Sequence, residues 1–309
     1  MKFLLLFAAC TGLLCAQAFD LKMPDTGAKT ATASKAAKTS TPSLSAPAKS
    51  SAAPAKGAPA ASKAASAPAA VPAAPAPKPG MPAVIAKADL TVEQVVAKAR
   101  AAMGKDSVLD KVKAIEYVGT VADEKGQRVA TFRYIYQKPF FLRREETRAD
   151  GGYSALIKDD LEGWMLVKQP NGPLQRAMMP LGNQDFERDL AIDRLNFFKG
   201  PDFMDRATVA LAGVVLWEGH RAYLLTYAYP VGLGKMTLSR VIDAETGRVL
   251  ALLSNDGRTQ AVDSGTLESG GIRFPKTTSI YQDGSLRARL TYDKVILNQS
   301  YTPVTFTTP

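Results

Sequence analysis

Short runs of alternating apolar and polar residues fill the chain from Ile115 onward, and this period of two predicts strands. Runs at Ile115–Val121, Arg128–Gln137, Phe140–Arg148, Tyr153–Lys158 and Trp164–Lys168 are separated by Glu124-Lys125-Gly126, Lys138-Pro139, Asp150-Gly151-Gly152 and Leu161-Glu162-Gly163. Each separator has turn chemistry: glycine reaches positive φ, proline fixes φ, and aspartate caps the local backbone. Further runs follow at Leu211–Trp217, Arg221–Tyr229, Lys235–Asp243, Arg248–Asn255, Thr259–Gly265, Ile272–Gln282 and Leu286–Leu297. Short connections make sequence neighbours antiparallel partners. A sheet this wide has to curl, so the expected fold is mainly β: a single curved antiparallel sheet (an incomplete β-barrel) of about eleven strands with covering α-helices. The Asp283-Gly284 turn between the last two runs suggests a meander forming the sheet's closing edge.

Twice the period changes to 3.6. Thr91-Val92-Glu93-Gln94 has capping-box spacing, Val92, Val95, Val96, Ala99 and Met103 share one face, and Gly104 is a natural stop. Asn183–Lys199 repeats the pattern, with Asn183 as cap, Gly200-Pro201 as stop, and Phe186, Leu190, Ala191, Leu195 and Phe197 or Phe198 on one side. Glu187, Arg188, Asp193 and Arg194 occupy the other side, and an amphipathic helix inserted between strands covers one sheet face.

Two strands carry rows of large side chains on one face: Phe132, Tyr134 and Tyr136, and Tyr223, Leu225, Tyr227 and Tyr229. Such rows are core where the covering helix fills the concavity, and line a ligand cavity where it does not. With Trp164 after Gly163 and the helix residues Phe186 and Leu190, they make the candidate apolar site Phe132, Tyr134, Tyr136, Trp164, Phe186, Leu190, Tyr223, Leu225 and Tyr227. Trp217 is a further apolar anchor. Arg133 either faces solvent or lies inside to hold a lid carbonyl or lipid head group, and alternation, which sets it opposite Phe132 and Tyr134, favours solvent.

Composition divides the rest of the chain. Met1–Ala18 has Lys2, an apolar run and Ala16-Gln17-Ala18, the pattern of a secretory signal peptide. Both cysteines, Cys10 and Cys15, lie inside it, so cleavage leaves no thiol for disulfides. Lipidation at either would make an outer-membrane lipoprotein, but Leu14 before Cys15 and the short apolar stretch before Cys10 favour a soluble periplasmic form. Residues 19–88 are rich in Ala, Pro, Ser and Lys and read as a disordered linker, a coil of roughly 45–50 Å end to end. Residues 89–309 form the folded domain. Of the net charge of +10, most belongs to the tail: ten of 39 basic and two of 29 acidic residues precede Ala88, leaving 29 against 27 beyond it. The spaced lysines suit a membrane surface or cell-wall polymer, and the nearly neutral domain argues against nucleic acid.

Catalytic constellations are missing. With one histidine, His220 in a turn, and no mature cysteine, the usual metal sets vanish. Gly232-Leu233-Gly234-Lys235 lacks the rest of any phosphate-loop fingerprint. Glu145-Glu146 and Asp159-Asp160 are adjacent carboxylates that point to opposite faces of a strand and read as solvated charges. No enzyme and no cofactor is expected.

Several local features occur together in order. They are Ala102-Met103-Gly104, Val112-Lys113-Ala114-Ile115 leading to Gly119, Lys138-Pro139 before Leu142-Arg143, Gly163-Trp164, the Asp243…Thr246-Gly247 hairpin, Ile272-Arg273-Phe274-Pro275, and Leu297-Asn298 with Phe306. From about Leu90 to Pro309 the chain resembles the LolA/LolB-type outer-membrane lipoprotein-sorting family, periplasmic carriers built on an incomplete curved β-barrel with a helical lid. The resemblance implies an apolar cavity for acyl chains beneath the Asn183–Lys199 helix, with lipid or acylated lipoprotein as partner. It transfers no individual residue role. The alternative is an envelope structural or sensory protein that uses the same sheet as an interaction surface and the basic tail as tether.

Overall fold

The computed structural model describes residues 77–199, 208–231 and 234–308. The segments read as signal peptide and, up to residue 76, as linker lie outside the described residues, as does the Gly232-Leu233 pair. In chain order the elements are β1 (Val84–Ala86), α1 (Val92–Met103), α2 (Asp106–Leu109), β2 (Ala114–Asp123), β3 (Arg128–Gln137), β4 (Phe141–Arg148), β5 (Tyr153–Lys158), β6 (Gly163–Lys168), β7 (Leu174–Met178) and α3 (Leu181–Asn196). Then come β8 (Thr208–Trp217), β9 (His220–Val231), β10 (Gly234–Asp243), β11 (Val249–Ser254), β12 (Thr259–Ser264), β13 (Leu267–Ser269), β14 (Ile272–Phe274), β15 (Thr277–Gln282), β16 (Ser285–Leu297) and a 3₁₀ turn at Pro303–Phe306.

The fold is mainly β: one open antiparallel sheet of fourteen strands in the order β1-β8-β9-β10-β11-β12-β15-β16-β2-β3-β4-β5-β6-β7, plus a β13–β14 ribbon. Two up-and-down meanders, β2–β7 and β8–β15, are therefore joined through β16. This corrects the expectation that the final meander forms the closing edge. β16 lies inside the sheet, with Leu290 opposite both Thr278 of β15 and Val121 of β2. The edges are β1 and β7.

The strand count exceeds eleven because short strands carry little hydrophobic signal. Every residue of β7 is exposed, and β1, within the stretch read as linker, is three exposed residues paired with β8. Ile272–Gln282, expected as one strand, is two. Pro275 lacks the N–H to continue a ladder; β14 pairs with β13, and β15 pairs with β12 and β16. Register shifts at Leu211/Gly213, Val241/Ile242, Ile280/Tyr281 and Tyr292/Lys294 add twist and bend to the sheet. Gly119 permits tight closure at the β2–β16 contact, since a Cβ there would collide with the Thr291 carbonyl oxygen and the Phe132 ring.

The α1 capping box forms as read: the Gln94 N–H donates to Thr91 Oγ1 (3.3 Å), and the Thr91 N–H donates to Gln94 Oε1 (2.8 Å). α3 has to carry the chain from β7 at one edge to β8 near the other, so it crosses the sheet's concave face and packs on β9, β3 and β4. It starts after Pro180, which places Asn183 within the first turn and not at the cap.

α3 is not a helix with one solvated side. Phe186, Leu190, Ala191 and Leu195 are buried as expected, but so are Glu187, Asp189 and Asp193. Burying a Phe or Leu contributes about 2 kcal/mol, whereas an unpaired buried ion costs several. The charges therefore have to meet partners inside the sheet. Arg144 of β4 takes Glu187, and Arg240 of β10 takes Asp193.

Candidate functional site

A cavity of about 700 Å³ opens between the concave sheet, α3, the end of α1 and the β13–β14 ribbon. Strand alternation builds its wall: Tyr117 from β2, Tyr134 and Tyr136 from β3, Arg144 from β4, Ala261 and Asp263 from β12, and Leu290 and Tyr292 from β16. Tyr117 organises the aromatic part, packing edge-on against Tyr136 (6.2 Å between centroids) and Phe274 of the ribbon (5.8 Å). Burial pushes the Tyr117 and Tyr292 hydroxyls well above the ordinary phenol range, so both stay neutral donors.

Four of the nine residues proposed from sequence line this cavity: Tyr134, Tyr136, Phe186 and Leu190. Phe132 is buried behind them, stacked on Tyr134 with centroids 4.6 Å apart. Tyr223, Leu225 and Tyr227 are core packed with Val95, Phe186 and Leu190, and the Tyr223 hydroxyl donates to Asp89 Oδ1 at 2.8 Å. Trp164 shares a strand face with Leu166, which belongs to the cluster on the opposite side of the sheet with Ile135, Ile157 and Phe306. Its Nε1–H donates to Glu162 Oε2 at 3.0 Å. Trp217 likewise packs away from the cavity, with Val215 and Leu224.

One carboxylate read as solvated is not. Glu145 and Glu146 do point to opposite faces, but Glu146 is buried and accepts a 2.5 Å hydrogen bond from the Tyr134 hydroxyl. Arg133 lies on the outer face as expected, where Arg133 Nε is 2.6 Å from Glu116 Oε1. Despite burial, Arg133 and the Tyr301 hydroxyl hold the Glu116 carboxyl below the usual range. His220 is exposed, but it opens β9 just after the Glu218-Gly219 turn. Among the described residues no group of three His, Cys, Asp or Glu converges to hold a metal.

The polar lining is what the aromatic rows did not reveal. Arg144, Arg194, Arg240, Arg248 and Arg273 face the cavity, with Asp263 and Glu268. Arg240 sits between the rings of Tyr227 and Phe198, its Cζ 4.1 and 4.3 Å from their centroids, while ion-paired to Asp193. Burial pushes the Asp193 carboxyl up, and its proximity keeps Arg240 firmly protonated in spite of desolvation. Alternation carried the missing signal: Arg144 lies two positions from buried Leu142, and Arg240 two from buried Leu238 and Ile242.

Fold and site together define a class: an open curved antiparallel sheet that shelters a cavity beneath a crossing helix. Several solved structures are similar to this chain. A DUF1329 family protein from Desulfovibrio piger matches over 70% of this chain and 97% of its own, at 14% identity and a TM-score of 0.46. A putative outer membrane lipoprotein-sorting protein domain from Vibrio parahaemolyticus matches over 69% and 94%, at 7% identity and a TM-score of 0.45. A LolA superfamily protein from Nitrosomonas europaea matches over 71% and 98%, at 13% identity and a TM-score of 0.44. No protein-family model matches the chain, and no curated protein does. The likeness is one of chain path and assigns no residue a role.

Proposed function

We propose that the domain is a non-catalytic lipid-binding protein of the cell envelope, holding acyl chains of a lipid or acylated lipoprotein in the concavity beneath α3. The cavity carries this reading. At about 700 Å³ it falls within the 300–1,000 Å³ range of small-molecule sites, and its wall is built largely from aromatic and aliphatic side chains. A filled concavity would have favoured the alternative, a sheet used purely as an interaction surface. The Met1–Ala18 pattern supports export to the periplasm, and the lysine-bearing tail supports contact with an anionic membrane surface or cell-wall polymer.

Native mass spectrometry and lipid extraction of the purified protein test the reading, together with uptake of a fluorescent acyl probe. Co-purifying lipid, or saturable uptake reduced by Leu190→Glu in the cavity wall, is the expected result. Lipid-free protein that takes up no probe would overturn it.

A further inference from the structure

Charge within the cavity is unevenly matched. Three of the five lining guanidiniums have carboxylate partners: Arg144 with Glu187, Arg240 with Asp193, and Arg273 with Glu268. Among the described residues Arg194 and Arg248 form no ion pair. Arg194, in the last turn of α3, has its Cζ 5.4 Å from the Tyr136 ring centroid, and its Nε is buried with no acceptor. A guanidinium carries five N–H donors in one plane, and a ring face attracts the charge without accepting a conventional hydrogen bond from those donors. Arg248 is exposed at the mouth and donates to the Gly265 carbonyl oxygen at 3.0 Å. Asp263 lies within electrostatic reach of both arginines, but its Oδ1 already accepts the Thr278 hydroxyl at 2.6 Å. Among the described lining residues, one carboxylate is thus set against two guanidiniums without ion-pair partners.

We propose that the cavity takes an amphiphile with one anionic head group, a carboxylate or a phosphate, which binds against Arg194 while its acyl chain runs along Tyr136, Phe186 and Leu190. The proposal rests on the carriage reading above and names its ligand class. A planar guanidinium matches either oxyanion with two parallel hydrogen bonds. Arg248 at the mouth adds attraction during entry. A neutral lipid would leave the buried Arg194 Nε–H unanswered.

The test titrates the full chain with a long-chain fatty acid, the matching alkyl phosphate, the fatty-acid methyl ester and inorganic phosphate, using calorimetry. The acid, the alkyl phosphate or both should bind at least about tenfold tighter than the ester, and inorganic phosphate much more weakly than either. The better-bound amphiphile identifies the head group. Arg194→Gln should cost the anionic amphiphiles at least about tenfold more affinity than the ester, which abolishes the preference. The exposed Arg248→Gln should reduce the preference without altering the thermal melt, which keeps the test independent of folding. Equal affinity for ester and both anionic amphiphiles would overturn the head-group proposal and leave carriage standing, as would equal loss of all three in Arg194→Gln. Tight binding of inorganic phosphate alone would reassign the site to a free anion. If no amphiphile binds, carriage and head-group proposal fail together.

Discussion

Arg144 Nη2 of β4 lies 2.6 Å from Glu187 Oε1 of α3, with both side chains 3% exposed. This pair and Arg240–Asp193 fasten the crossing helix to opposite meanders of the sheet, β4 in one and β10 in the other. Ionic contacts thus anchor the helix alongside its apolar side.

Glu187→Ala should destabilise the domain by about 3–5 kcal/mol, since the buried Arg144 guanidinium would lose the carboxylate 2.6 Å from it. The double variant Arg144→Leu, Glu187→Leu should recover most of that loss, because replacing both ions by apolar groups removes the desolvation penalty. Urea denaturation of wild type, single and double variants measures the difference. A double variant as unstable as the single would count against the pairing.

Arg100 holds the far end of the same helix. It donates to the carbonyl oxygens of Asn196 (2.6 Å) and Phe197 (3.2 Å), and to the carboxylates of Asp106 (2.7 Å) and Asp110 (2.9 Å). Arg100→Ala should cost about 2–3 kcal/mol. Hydrogen exchange should show the loss first in amides at the C-terminal end of α3. Arg100→Lys should rescue only part, because a single ammonium lacks the planar fork that reaches all four acceptors. Unchanged protection in that helical turn would refute the clamp.

Asp263 makes stability depend on pH in an unusual direction. Burial in the cavity wall pushes its carboxyl up from 3.8 to about 6, with the Thr278 hydroxyl, Arg194 and Arg248 opposing the rise. Tyr292 faces the same space from β16 and stays neutral there. The folded state therefore binds this proton more tightly than the unfolded chain. Its stabilising contribution is complete below the unfolded value and is lost as pH rises through about 6. Asp263→Asn should gain on wild type by about 1–3 kcal/mol between roughly pH 4 and 7 in thermal melts. Parallel stability curves for the two proteins would rule the effect out.

Much of the architecture was legible because the deciding signals were local. The Thr91–Gln94 capping box, the Asp283-Gly284 turn and the alternating strands each depend on near neighbours. The sheet's interior seam was not legible, since pairing Leu297 with Ile115 depends on contacts between distant residues. β7 escaped notice because an exposed edge strand needs no apolar face. The helix misled for a related reason. Glu187 and Asp193 look like solvent residues until Arg144 and Arg240 are known to point at them. The cavity's aromatic half could be read from the Tyr134–Tyr136 row, whereas its ionic half required knowing which strands the helix crosses.

β16 also sets the order in which the sheet can be completed. Each meander can form from hairpins between sequence neighbours, but until Ser285–Leu297 is available the two halves leave β15 and β2 with unpaired ladders. Joining them closes a loop of more than a hundred residues, an entropic toll that slows folding and keeps a partly synthesised chain open. The concavity that shelters the cavity is thus among the last features to exist.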